Sequence, residues 1–177
     1  MDLGVISVRY ARALLKCSLD AKKEDLVYQE MMTLAESYIK VPELRRTIDN
    51  PMMSVDKKAQ LLQIASGNDV TEITERLISL VLKEGREGVM QFIANSYITL
   101  YRQQKNITRG KLITAVPVAP EVEEKMKQMV MSRTNGAVEF VTEVNPDIIG
   151  GFVLEYDTYR MDTSVKSQLN KILKQLN

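Results

Sequence analysis

Along the first 105 residues, apolar positions recur at spacings of three and four with polar positions between them, the pattern of amphipathic helices. Only Pro42 and Pro51 break it, and glycine is scarce until Gly67. Six helices are predicted. The first covers Val5 to Leu19 and the second Glu24 to Lys40. A short third runs from Pro42 to Ile48, with proline at a first helical position. The fourth starts after Ser54 as N-cap and stops at Gly67. The fifth is opened by Asp69-x-x-Glu72, read as a capping box, and closed by Gly85 in a left-handed conformation. The sixth covers Glu87 to Lys105. Short connections between such helices predict antiparallel packing in a bundle.

The pattern changes after Lys105. Lys111 to Val116 is rich in β-branched residues and reads as a strand. Pro120 opens a helix with Val122, Met126, Met129 and Val130 on one face, and Asn135-Gly136 reads as a turn. Strands follow at Val138 to Val144, Phe152 to Tyr156 and Tyr159 to Met161, the last two joined by a turn at Asp157-Thr158. Gly150-Gly151 precedes a strand, so it reads as a bulge or a close backbone approach, not as a phosphate loop, which requires a helix there. Asp162-Thr163-Ser164 reads as the cap of a last helix with Val165, Leu169, Ile172, Leu173 and Leu176 on one stripe. The expected fold class is α+β: a six-helix bundle over residues 1–105, then a small β-α-β-β-β-α domain over 106–177.

Two helices carry more apolar surface than a bundle position requires. On the first, Arg9, Arg12, Lys16 and Asp20 form one narrow polar strip. Ile6, Tyr10, Ala13, Leu14 and Cys17 lie to one side of it, and Val8, Ala11, Leu15 and Leu19 to the other. The apolar arc is about twice the roughly 100° of a core-facing surface helix. One side buries itself; the other must be covered by a further helix of the domain or by a partner. The fifth helix repeats this: Ile73, Leu77, Leu80 and Val81 make a stripe that Ile78 and Leu82 widen. Two such helices side by side would form a groove for an amphipathic helix. On this reading Leu14→Asp or Leu77→Asp weakens partner binding while the domain stays folded. Arg86, after the fifth helix, is expected in water.

Composition narrows the function. Histidine is absent and Cys17 is the only cysteine, which removes the commonest general base and metal ligand and excludes Ser-His and Cys-His nucleophile pairs and a structural zinc site. The paired acids Glu123-Glu124 sit in a first helical turn, where the macrodipole favours them. No catalytic residue, metal ligand or cofactor is expected. The first 105 residues carry 15 basic and 14 acidic side chains and the rest 9 of each, so neither part has the basic excess of a nucleic-acid binder. No run of 18 apolar residues is present to span a membrane. Arg9, Arg12 and Lys16 interrupt the first apolar segment, which argues against a signal peptide. A helical pattern that begins within the first residues leaves no room for an organelle transit segment, so a bacterial chain is expected.

Several separated segments resemble the δ subunit of the F-type ATP synthase (the oligomycin-sensitivity-conferring protein in mitochondria). Arg9-Tyr10-Ala11-Arg12-Ala13-Leu14 is similar to the family's RYAKAL-like opening. Asn50-Pro51 followed by Lys57-Lys58 and Leu61-Leu62 is similar to its NP…KK…LL stretch, and Leu77 to Arg86 to its L…ENGR segment. Lys111 to Pro117 resembles a strand ending in SAVPL. Asn145 to Gly151 resembles DPSLIGG, and Asp162 to Lys166 resembles DGSVRG. The matches keep their order over nearly the whole chain. Thr163 and Ser167 depart from the family by standing where it has glycines. The resemblance implies a non-catalytic stator subunit with no cofactor. Its helices one and five would grip the N-terminal helix of an F1 α subunit, here through Ile6, Tyr10, Ala13, Leu14, Cys17, Ile73, Leu77, Ile78 and Val81. Its C-terminal domain would engage the C-terminal region of the stalk b subunit. It implies a peripheral place on the cytoplasmic face of the bacterial inner membrane, reached through the F1Fo complex. The competing reading, an RNA- or nucleotide-binding α+β protein, has neither a basic face nor a phosphate loop behind it.

Overall fold

A computed structural model describes residues 3–67, 69–134, 137–156 and 159–176, and the side chains of all of these except 133, 134, 140, 175 and 176. The chain forms two compact units, Met1–Gln103 and Gln104–Asn177.

The N-terminal unit is built from α1 (Leu3–Asp20), α2 (Glu24–Lys40), α3 (Pro42–Ile48), α4 (Val55–Ser66), α5 (Glu72–Lys83) and α6 (Met90–Lys105), with a 3₁₀ turn over Glu87–Val89 leading into α6. Its core holds Val27, Met31, Leu34, Leu62, Ile78, Val81, Met90 and Ile93. Polar groups inside it are paired across helices. The Tyr97 hydroxyl lies 2.9 Å from Ser18 Oγ and donates to the Glu24 carbonyl at 3.2 Å, joining α6 to α1 and α2. Burial pushes this phenol up to about 12. Tyr101 donates to Asp25 at 2.6 Å, and its ring stacks on Tyr28 at 4.1 Å. Buried Lys58 pairs with Glu87 at 2.5 Å, which holds the Glu87 carboxyl below its usual range.

The start of α5 departs from expectation. Asp69 does not cap it; Thr71 does, its Oγ1 accepting from the Thr74 N–H. The reason is tertiary. The buried carboxylate of Glu30, on α2, accepts from the Thr71 N–H at 2.6 Å, from Thr71 Oγ1 at 3.0 Å and from Thr74 Oγ1. A negative group at a helix N-terminus is favoured by the unpaired N–H groups and the macrodipole. Ser54 occupies the N-cap position of α4 but makes no side-chain cap bond. The end of α5 is as expected: Gly85 takes φ 62°, with Gly85 N–H bonded to the Leu82 carbonyl and Arg86 N–H to the Val81 carbonyl, a Schellman stop.

The C-terminal unit contains β1 (Thr108–Thr114), α7 (Pro120–Thr134), β2 (Val138–Val144), a 3₁₀ turn (Pro146–Ile148), β3 (Phe152–Tyr156), β4 (Tyr159–Asp162) and α8 (Val165–Leu176). The sheet order is β2-β1-β3-β4. The β1-α7-β2 crossover makes β1 and β2 parallel, while β1-β3 and β3-β4 are antiparallel. Leu112 pairs with Leu154 across β1 and β3 and packs with Val130 of α7, Val138 and Tyr156 in the core. The turns expected at Asn135-Gly136 and Asp157-Thr158 lie outside the described residues.

The segment into α8 shows how the two non-glycine departures are accommodated. Thr163 donates to the Phe152 carbonyl through both its N–H and its Oγ1, at 3.0 and 2.9 Å. Ser164 is the N-cap, accepting from the Ser167 N–H. Asp162 accepts from Ser164 Oγ at 2.6 Å, Ser167 Oγ at 2.7 Å and the Ser164 N–H at 3.0 Å. These bonds hold its carboxyl down to about 2. A carboxyl depressed in the folded state stabilises fully above its unfolded pKa and loses that contribution as pH falls toward the folded one. Thermal melts should therefore show a loss of stability between about pH 4 and pH 2 that is shallower in Asp162→Asn. Equal pH slopes would mean that the cap network contributes nothing.

Candidate functional site

The core face of α1 is Ser7, Ala11, Leu14 and Ser18, not either apolar side. Both serines return their hydroxyls to the helix, Ser7 to the Gly4 carbonyl and Ser18 to the Leu15 carbonyl, each at 2.9 Å. A serine bonded in this way costs little to bury, and its small volume lets a neighbouring helix approach. From the pattern either flank could have been the core face; the small serines instead let the line between the flanks be buried. The true core face lies between the two flanks, so both stay partly outside.

On one flank, Ile6 and Tyr10 are half-buried, and Ala13 and Cys17 are exposed. Leu14, assigned to this flank, is buried in the core. On the opposite flank, Gly4, Val5, Val8, Arg9 and Arg12 line a shallow open depression. On α5, Ile78 and Val81 are fully buried and Leu77 is 6% exposed. Ile73 is half-buried and Leu80 is 47% exposed. Of the nine residues expected at the partner surface, Leu14, Leu77, Ile78 and Val81 are thus closed into the bundle. Leu80 continues the row of Ile73 and Leu77 at helical spacing but stands at its exposed edge. Its place in that row was visible in the sequence; its exposure was not.

The two helices are neighbours and are tied at one end. Arg86 Nη1, just after α5, donates to the Tyr10 hydroxyl of α1 at 3.1 Å. Arg86 is half-buried there, not left to water as expected. The bond fixes the end of α5 against the middle of α1.

Among the described residues no cluster of acids or cysteine has the arrangement of a metal site, and no helix is long and apolar enough to cross a membrane. What the two flanks offer is apolar area with charged residues at its borders: Arg9, Arg12 and Lys16 on α1, and Glu72, Arg76 and Lys83 on α5. Apolar anchors within a polar rim are the ordinary build of a protein-binding surface.

A family model described as the ATP synthase delta (OSCP) subunit matches residues 6–176. The ATP synthase subunit delta of Phocaeicola vulgatus is 45% identical over 176 residues, covering 99% of this chain and 95% of that protein. The same subunit of Parabacteroides distasonis is 43% identical over 172 residues, covering 97% and 96%. A chain in the structure of the Toxoplasma gondii mitochondrial ATP synthase hexamer shares the fold with a TM-score of 0.69 at 19% identity, over 96% of each chain. The chain belongs to the ATP synthase delta (OSCP) subunit family.

Proposed function

We propose that this chain is the non-catalytic link between the F1 head and the peripheral stalk of a rotary ATP synthase, with one binding surface on each unit. The observation that carries this is that α1 and α5 are neighbours, tied by the Arg86–Tyr10 bond, with Ile6, Tyr10 and Ile73 only half-buried and Leu80 47% exposed along their flanks. In this reading the N-terminal helix of an F1 α subunit lies in a groove between α1 and α5. Ile6, Tyr10, Ala13, Cys17, Ile73 and Leu80 line the groove, and Leu14, Leu77, Ile78 and Val81 form its floor. The C-terminal unit receives the C-terminal region of the stalk b subunit. Support for the second surface comes from α8, whose stripe residues Val165, Leu169, Ile172 and Leu173 are 36–59% exposed. The side chain of Leu176, expected on this stripe, lies outside the described residues.

The task is mechanical. Torque on the head is resisted when both surfaces stay bound, and buried apolar contact surrounded by a polar rim supplies slow dissociation without chemistry. The chain acts at the cytoplasmic face of the bacterial inner membrane and reaches it through the complex. An affinity-tagged chain expressed in its own cells should recover F1 α and β together with b. Recovery of nucleic acid, or of none of these subunits, would overturn the reading.

A further inference from the structure

One end of the C-terminal sheet holds a cavity of about 270 Å³ lined by Leu112, Val118, Met126 and Phe152, beside Gly150 and Gly151. Thr114 is among its lining residues. This residue is 4% exposed, and its Oγ1 is buried with no hydrogen-bond partner. A buried hydroxyl without a partner is unfavourable in the free protein, because nothing replaces the water it has lost. Three apolar residues stand in the open at the mouth: Val116, Val122 and Ile149. Ile149 is 62% exposed and has φ 68°, a conformation β-branched residues avoid and one that elsewhere marks ligand-gripping segments.

We propose that this cavity is an anchor pocket for an apolar side chain of a partner helix, presented together with a backbone or amide group that pairs with the Thr114 hydroxyl. The proposal rests on the reading that the C-terminal unit receives the stalk, and it names where the grip lies. The surroundings select a polypeptide over a free small molecule. The volume of about 270 Å³ is at the small end of ligand pockets and is enough for one side chain. The exposed rim extends the apolar surface beyond what a ligand inside would cover. The pocket also adjoins the uncovered stripe of α8. Val165, the first stripe residue, donates its N–H to the Gly150 carbonyl at 3.0 Å, and a Cβ on Gly150 would sit 3.1 Å from the Val165 side chain. One helix lying along α8 reaches the mouth of the pocket with its end.

The test uses the full chain and the soluble part of the b subunit from the same organism, with affinity read by calorimetry. Thr114→Val keeps the shape and removes the hydroxyl. Binding should weaken about tenfold while the melting temperature of the free chain holds or rises, because an unpaired buried hydroxyl has gone. Val122→Trp closes the mouth from an exposed helical position. It should weaken binding more than tenfold with unchanged circular dichroism, and it serves if Thr114→Val fails to fold. Wild-type affinity in folded Val122→Trp overturns the pocket and leaves the link intact. Absence of binding by the wild-type chain overturns both. Self-association of the wild-type chain that Val122→Trp abolishes would assign the pocket to a second copy and overturn the proposal as well.

Discussion

Leu77→Asp is expected to unfold the N-terminal unit, whereas Leu80→Asp, three residues on, leaves it folded. Leu77 is 6% exposed and lies on the buried side of α5 with Ile78, Val81 and Leu82. Aspartate there removes buried apolar area and strands a carboxylate without a partner, costing about 3–5 kcal/mol or more. That is a large share of the 5–15 kcal/mol by which small domains are stable. Leu14→Asp acts in the same way, since Leu14 is 4% exposed. Leu80 is half in water already, so its aspartate stays hydrated and the fold changes by about 0.5 kcal/mol or less. A helix covering that flank would have to desolvate the carboxylate, and affinity for a peptide of the α-subunit N-terminus should fall at least roughly tenfold. Ala13→Asp on α1 should do the same. Thermal melts by circular dichroism and titration calorimetry separate the two classes. A folded Leu77→Asp protein would contradict the burial argument. Undiminished peptide affinity in both Leu80→Asp and Ala13→Asp would remove this flank from the interface.

Gly151→Ala is expected to disrupt the C-terminal unit. Gly151 has φ 74°, and an added Cβ would lie 2.5 Å from the Thr163 carbonyl oxygen and 3.2 Å from its carbon. Both are backbone atoms, and Thr163 is held to Phe152 by two hydrogen bonds, so relief requires β3 and the approach to α8 to separate. Adding the left-handed backbone cost gives roughly 3 kcal/mol or more. Gly85→Ala is the matched control. Its φ of 62° carries the same backbone cost, about 1 kcal/mol, but nothing stands within 4 Å of the added carbon. Hydrogen exchange should show lost protection in β1 and β3 for Gly151→Ala alone. Equal local losses around the two glycines would mean that the close approach at Gly151 does not matter.

The residues that punctuate the chain made most of its elements legible. Pro42 placed α3, Gly85 stopped α5, and the double glycine marked the close approach before α8. Errors arose where the deciding contact is distant in sequence. The start of α5 is set by Glu30, more than forty residues earlier, and local spacing favoured Asp69 instead. Arg86 meets Tyr10 from seventy-six positions away. The pattern on α1 left two flanks to choose between, and neither is the core face, because Ser7 and Ser18 satisfy their hydroxyls within their own turn and enter the core as small residues. Periodicity reveals that a stripe exists but not whether the chain itself covers it. Leu77 and Leu80 are the same residue on the same row, yet one is core and the other surface. The stripe on α8 looks like a core stripe in sequence and is bare in the fold. The pocket beside Thr114 left no trace in sequence, since it depends on where β1, α7 and the turn before β3 come together.

The link itself is tested most directly with purified parts in a sedimentation-velocity experiment: F1 stripped of its δ subunit, the soluble part of b, and this chain. The account predicts that F1 and b sediment separately when mixed alone and as one faster species once the chain is added. Co-sedimentation of F1 and b without the chain, or a chain that joins neither, would contradict it.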